Sequence, residues 1–131
     1  MSGAAVVRAA DAMLRAFGGV EVSVVFPLVA LPDDPSAQLG MVDAGVQQLT
    51  FAPVVVRTLT TAAIGPRRRL EFLISSTAVA EAVVSQNAAS ADALFQSALG
   101  VNYDNDFFHI ENVATEYFAA TAYLYRVTAV E

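Results

Sequence analysis

The chain contains no cysteine, which excludes disulfides, thiolate metal ligands and cysteine nucleophiles. Lysine is absent too, so the phosphate-gripping residue of a P-loop is missing, and neither G-x-x-x-x-G-K-[ST] nor G-x-G-x-x-G occurs. Seven arginines against thirteen acidic residues leave a net charge of -6, which disfavours tight non-specific binding to a nucleic-acid backbone. There is no tryptophan, so Phe and Tyr supply all the aromatic packing. Long apolar runs are lacking: Val24 to Leu31 and Phe51 to Val56 are interrupted by proline or stop well short of the roughly 20 residues a membrane span requires. No transmembrane helix is expected. Arg8, Asp11 and Arg15 break up Met1 to Phe17, unlike the apolar block of a signal peptide, and the chain reads as mature and intracellular.

What remains is a chain of 131 residues, 56% hydrophobic and 15% charged, which fits one domain (1–131) with a sizeable core. Residues 4 to 17 place Val6, Ala10, Met13 and Phe17 on one helical stripe, with Val7 and Leu14 beside it and Arg8, Asp11 and Arg15 opposite. Ser2 is its N-cap and Gly18-Gly19 its stop. Alternation then predicts a strand over Val20 to Val29. Ala30 to Gln48, studded with Pro, Asp and Gly, reads as a long mobile loop. Its Leu39, Met41, Val42 and Val46 are apolar enough to fold onto the domain or a partner.

Leu49 to Thr60 is a second strand, with Pro53 marking an edge or a bulge, and Thr61 to Pro66 a turn. Leu70 to Ser75 is a third strand of an antiparallel sheet. Ala78 to Gln86 reads as a short helix capped by Ser76 or Thr77, with Val79, Val83 and Ala82 inward. A second short helix follows Ser90, with Ala91, Leu94, Phe95, Ala98 and Leu99 on one face and Gly100 as its stop. Val101 to Asp106 is turn-like, and Phe107 to Glu116 folds back through Tyr117 to Ala120 onto Thr121 to Val130 as a hairpin.

Chemistry-bearing residues are few. His109 is the sole histidine, with Glu111 two residues on; such a pair can do acid-base work, but no nucleophile accompanies it, and a structural histidine is the commoner role. No catalytic residue, cofactor site or metal site is assigned, since Asp104-Asn105-Asp106 lacks the glycine and distal glutamate of a calcium loop. Arg67, Arg68 and Arg69 form the one local positive patch, either a solvated strand entry or a grip on an acidic partner. Tyr117, Phe118, Tyr123 and Tyr125 are either sheet packing or interface aromatics.

The closing FFHIENVATEYFAATAYLYRVTAVE, Phe107 to Glu131, resembles the C-terminal hairpin of the small head-tail connector proteins, stoppers or joining proteins, of tailed bacteriophages and prophages. FAPVVVRTL, Phe51 to Leu59, resembles the strand after that family's long loop, although the turn at Phe118-Ala119-Ala120 lacks the expected glycine. The resemblance implies an α+β fold, a small mainly antiparallel β-barrel or sandwich with an N-terminal helix and one or two short packed helices. It implies a virion assembly protein rather than an enzyme, put together in the bacterial cytoplasm, its copies forming a ring between the portal side of the capsid and the tail. Partners would be other copies, portal or adaptor and tail proteins, with at most transient contact with packaged DNA and no membrane. The 30–48 loop, with Leu39, Met41 and Val42, would reach the channel or neighbouring subunits. The competing expectation is a small α+β enzyme or ligand-binding domain with a pocket near His109.

Overall fold

The computed structural model describes residues 2–27, 45–59 and 68–131. Helix α1 spans Gly3–Ala16, with the Ser2 hydroxyl accepting from the Ala5 N–H at 3.2 Å. It closes where Gly18 takes φ +82° and the Gly19 N–H reaches the Leu14 carbonyl at 2.9 Å, the left-handed turn for which glycine carries no Cβ penalty. Strands β1 (Val20–Pro27), β2 (Val46–Leu59) and β3 (Arg69–Ser75) come next, then helices α2 (Ser76–Ser85) and α3 (Ala91–Ser97). Strands β4 (Gly100–Tyr103), β5 (Asp106–Phe118) and β6 (Thr121–Val130) complete the chain.

The six strands form a closed barrel in the order β1-β2-β3-β6-β5-β4, every pair antiparallel, with β4 returning to β1 through Ser23↔Asn102, Val24↔Val101 and Val25↔Gly100. Of the two expected architectures, barrel and sandwich, the barrel is the observed one. Its centre is filled by Phe51, Phe72 and Phe108 with Val24, Val101 and Val127, all essentially inaccessible. Helices α2 and α3 add Val79, Ala82, Leu94 and Phe95 to the same cluster.

Pro53 sits where β2 changes partners. The strand pairs with β1 up to Val54 and with β3 from Val54 onward, and the β1–β2 register slips between Val20 and Val22. The N–H that proline lacks therefore falls at a hand-over, so the bulge is realised and the edge is not.

Helix α1 buries Asp11 and Leu14 and leaves Met13 and Phe17 58% and 71% exposed, so the expected stripe through Val6, Ala10, Met13 and Phe17 is not the packed face. The helix is turned instead to deliver the Asp11 carboxylate to the hydroxyls of Ser75 and Thr77, each donating at 2.7 Å. The cap of α2 is Ser75, since β3 runs straight into the helix. Positions 46–48, expected as loop, belong to β2, while 30–44 of that loop lie outside the described residues, as do Leu28 and Val29 and the turn at 61–66. Residues 101–103, expected in a turn, form β4 instead; Asp104 and Asn105 alone make the turn, at φ 52° and 64°. Helix α3 ends at Ser97 and leaves Leu99 46% exposed, and Gly100 opens β4 rather than stopping the helix. A Cβ on Gly100 would run into the Phe107 ring and the Phe108 carbonyl, so this close approach requires glycine.

The β5–β6 turn is made by Ala119 and Ala120 at φ 48° and 63°. Both central positions of such a primed turn need the left-handed region, where alanine is disfavoured by about 1 kcal/mol or more and Asn-Gly is at home. The double variant Ala119→Asn, Ala120→Gly is expected to stabilise the protein by about 1 kcal/mol, raising the melting temperature by roughly 3–5 °C. An unchanged or lower melting temperature in a thermal scan would show that the turn carries no such strain.

Candidate functional site

Arg68 and Arg69 stand at the entry of β3, and Arg67 lies outside the described residues. The Arg68 guanidinium donates to Glu131 Oε2 at 2.6 Å and to Asp106 Oδ2, and lies over the Phe108 ring with its carbon 5.3 Å from the centroid. Its backbone carbonyl accepts from the Glu131 N–H at 2.9 Å. Arg69 grips Glu111 with two donors at 2.8 and 2.9 Å, the two-pronged geometry that suits a planar guanidinium. Both guanidiniums are held above the ordinary arginine value, Arg68 chiefly by its hydrogen bond to Glu131 and Arg69 by that to Glu111. The pair clasps the start of β3 to β5 and to the chain end, and its charge is matched within the chain. The acidic partners lie 38 to 63 residues away in sequence, so local reading saw the cations without their counter-ions.

His109 is exposed and meets Phe107 edge-on, with centroids 4.9 Å apart and planes at 89°. A register slip between Ile110 and Asn112 breaks the alternation at Glu111, whose carboxylate goes to Arg69. Asp106 goes to Arg68. Among the described residues no group of three His, Asp or Glu side chains converges to hold a metal ion. None of the open depressions described below includes His109 in its lining.

Strands β1, β3 and β5 run in the same direction, so Pro27, Ser75 and Phe118 lie at one end of the barrel. At that end the β5–β6 hairpin exposes Tyr117 (64%) and Phe118 (41%). Tyr125 is buried instead, packed on Phe95 at 5.8 Å, and burial lifts its phenol above the ordinary value, with Tyr117 and then Asp92 adding to the effect. Tyr123 is half-buried. The aromatic group thus divides, with Tyr117 and Phe118 presented to solvent. Leu39, Met41 and Val42 lie outside the described residues.

Two depressions flank the hairpin. One, of about 450 Å³, separates α3 at Asp92, Phe95 and Gln96 from β5 at Ile110 to Val113. The other, of about 570 Å³, is lined by Val7, Val79, Val83, Ala122 and Tyr125 and is mostly apolar. Beside it Val84 is 81% exposed on a helix whose only charged residue is Glu81. The sequence places Val79, Val83 and Ala82 of this helix inward, as the structure has them, and so leaves Val84 on the outer side, although no pattern marked it as a site. No helix among the described residues is long and apolar enough to cross a membrane. Comparison with family models, curated proteins and solved structures gave no match to this chain.

Proposed function

We propose that the chain is a structural subunit of a tailed-phage or prophage virion, a head-tail connector whose copies form a ring between the portal side of the capsid and the tail and help to retain packaged DNA. The observation that carries this reading is the closing hairpin. The Phe107–Glu131 segment on which the resemblance rests forms β5 and β6, and their tip offers Tyr117 and Phe118 to a neighbour. Exposed aromatics of this kind are enriched in protein interfaces, whereas the sole histidine packs on a phenylalanine and Arg68 and Arg69 hold carboxylates of their own chain. A net charge of -6 suits a conduit for DNA, because like charge discourages adhesion to the passing duplex. On this reading the partners are further copies, portal or adaptor proteins and tail proteins, with the work done in the virion after assembly in the bacterial cytoplasm.

The test is genetic deletion in the parent phage or prophage, followed by electron microscopy. Filled heads and separate tails are expected to accumulate, and purified protein added to the lysate to restore joining. Tyr117→Ser, Phe118→Ser protein, shown by circular dichroism to be folded, is expected to restore it at least about tenfold less well, as loss of central aromatic anchors does in other interfaces. Normal numbers of joined, infectious particles from the deletion strain would sink the proposal.

A further inference from the structure

Strand β5 is paired along one side by β6, from His109↔Val130 to Phe118↔Thr121, but on its other side β4 reaches only Asp106, Phe107 and Phe108. Helix α3 flanks that side at Ile110 to Val113 across an open depression, and from Ala114 to Phe118 no strand among the described residues pairs with it. Exposed edges are normally blunted by lysine, proline, charge or short length. Asn112 to Phe118 contains neither lysine nor proline; its one charged residue, Glu116, is held by Arg126 of β6 at 3.0 Å, and its pairing with β6 shifts register once, between Glu116 and Tyr117. We propose that this edge docks the same edge of a second copy, the two β5 strands pairing antiparallel about a two-fold axis at Thr115.

The sequence favours one register. About Thr115, Val113 faces Tyr117 of the second copy, Ala114 faces Glu116, Asn112 faces Phe118, and Thr115 faces its own counterpart. A β-branched residue against an aromatic and threonine against threonine are favourable cross-strand pairs, and each acid meets an alanine. An axis at Glu116 would set the two carboxylates against each other. An axis at Ala114 would draw the second strand further along β5 toward α3 and set Tyr117 against Glu111, already held by Arg69. Pairing at Thr115 also brings the exposed Tyr117 and Phe118 rings into the contact. Because a two-fold contact closes at two copies, it is not the ring contact: it holds Tyr117 and Phe118 in a free dimer that opens before those rings meet a virion neighbour, and the pairing does not rest on the virion reading.

Ala114 and Glu116 lie opposite Arg126 and Leu124, on the face of β5 away from the buried Tyr125 and Val127, so Ala114 can be replaced without entering the core. Sedimentation of the full chain from about 1 to 100 μM, the range typical of a small interface, is expected to show monomers passing to dimers. Ala114→Glu sets like charges opposite each other twice across the axis and is expected to weaken the dimer about tenfold; Ala114→Lys sets a cation opposite Glu116 and is expected to tighten it. Thermal scans check that both variants fold. Since the natural chain has no cysteine, Thr115→Cys provides an independent readout: mild oxidation with copper-phenanthroline is expected to give a reducible, covalently linked dimer. Monomers at every concentration, or a change in the same direction for both Ala114 variants, would overturn the pairing and leave the edge to a different chain.

Discussion

Truncating Phe72 to alanine is expected to destabilise the protein by about 4 kcal/mol, a large part of the roughly 5–15 kcal/mol that holds a domain of this kind together. The ring is fully buried midway along β3, between Val56 of β2 and Val127 of β6. It meets Tyr103 edge-on at 5.8 Å and Phe108 at 6.2 Å, so both the transfer of its surface and two aromatic contacts are lost. The cost is high because the walls cannot fall inward: the barrel is closed, and moving one strand into the gap would strain its ladders with both neighbours. A cavity therefore persists, and its loss of dispersion contacts adds to the transfer term. Phe72→Leu refills most of the space and is expected to cost about 1–2 kcal/mol. Urea unfolding followed by circular dichroism measures both, and a loss under about 1.5 kcal/mol for the alanine variant would mean that the barrel interior is not the packed centre described here.

Much of this architecture is written locally. The period-two stretches at Val20 and Leu70 became β1 and β3, and Ser2, Gly18 and Ser90 mark helix ends because capping chemistry needs no distant partner. What escaped local reading depends on pairing at a distance. Strand β4 is four residues long beside an Asp-Asn turn, too short to show alternation, yet its few pairs with β1 decide between a closed barrel and an open sandwich. Phe107 to Glu116 was legible as a strand, but its free edge follows from how far β4 extends, which no residue of β5 encodes. The arginines at the entry of β3 gave the same difficulty in another form. Their charge is visible in the sequence, whereas their neutralisation by Asp106, Glu111 and Glu131 is a product of the register. Exposure at Tyr117 and Phe118 was legible in part, since they border a turn; that Tyr125 is buried required the position of α3.

Asp11→Ala is expected to cost about 2–3 kcal/mol, lowering the melting temperature by roughly 10 °C. By sequence Asp11 belongs on a polar helix face, but the residue is only 8% exposed, with Ser75 donating to one carboxylate oxygen and Thr77 to the other. Ser75 is itself 1% exposed and caps α2 through the Ala78 N–H, so the carboxylate ties α1 to the junction of β3 and α2. It also stands at the amino end of α2, where a helix favours negative charge. Removing it leaves two hydroxyls without their acceptor, one of them out of reach of water, and that penalty exceeds the net value of either hydrogen bond. Asp11→Asn keeps the size and one acceptor and is expected to cost about half as much, because a hydroxyl can rotate to accept from the amide. A double-mutant cycle with Thr77→Val separates the bond from the burial: a coupling of about 1 kcal/mol is expected for a charged acceptor. Coupling near zero, with the full loss retained in Asp11→Ala alone, would assign the effect to Ser75 and make the capped strand-to-helix junction, rather than the α1 to α2 tether, the reason α1 turns its acid inward and its Met13 and Phe17 out.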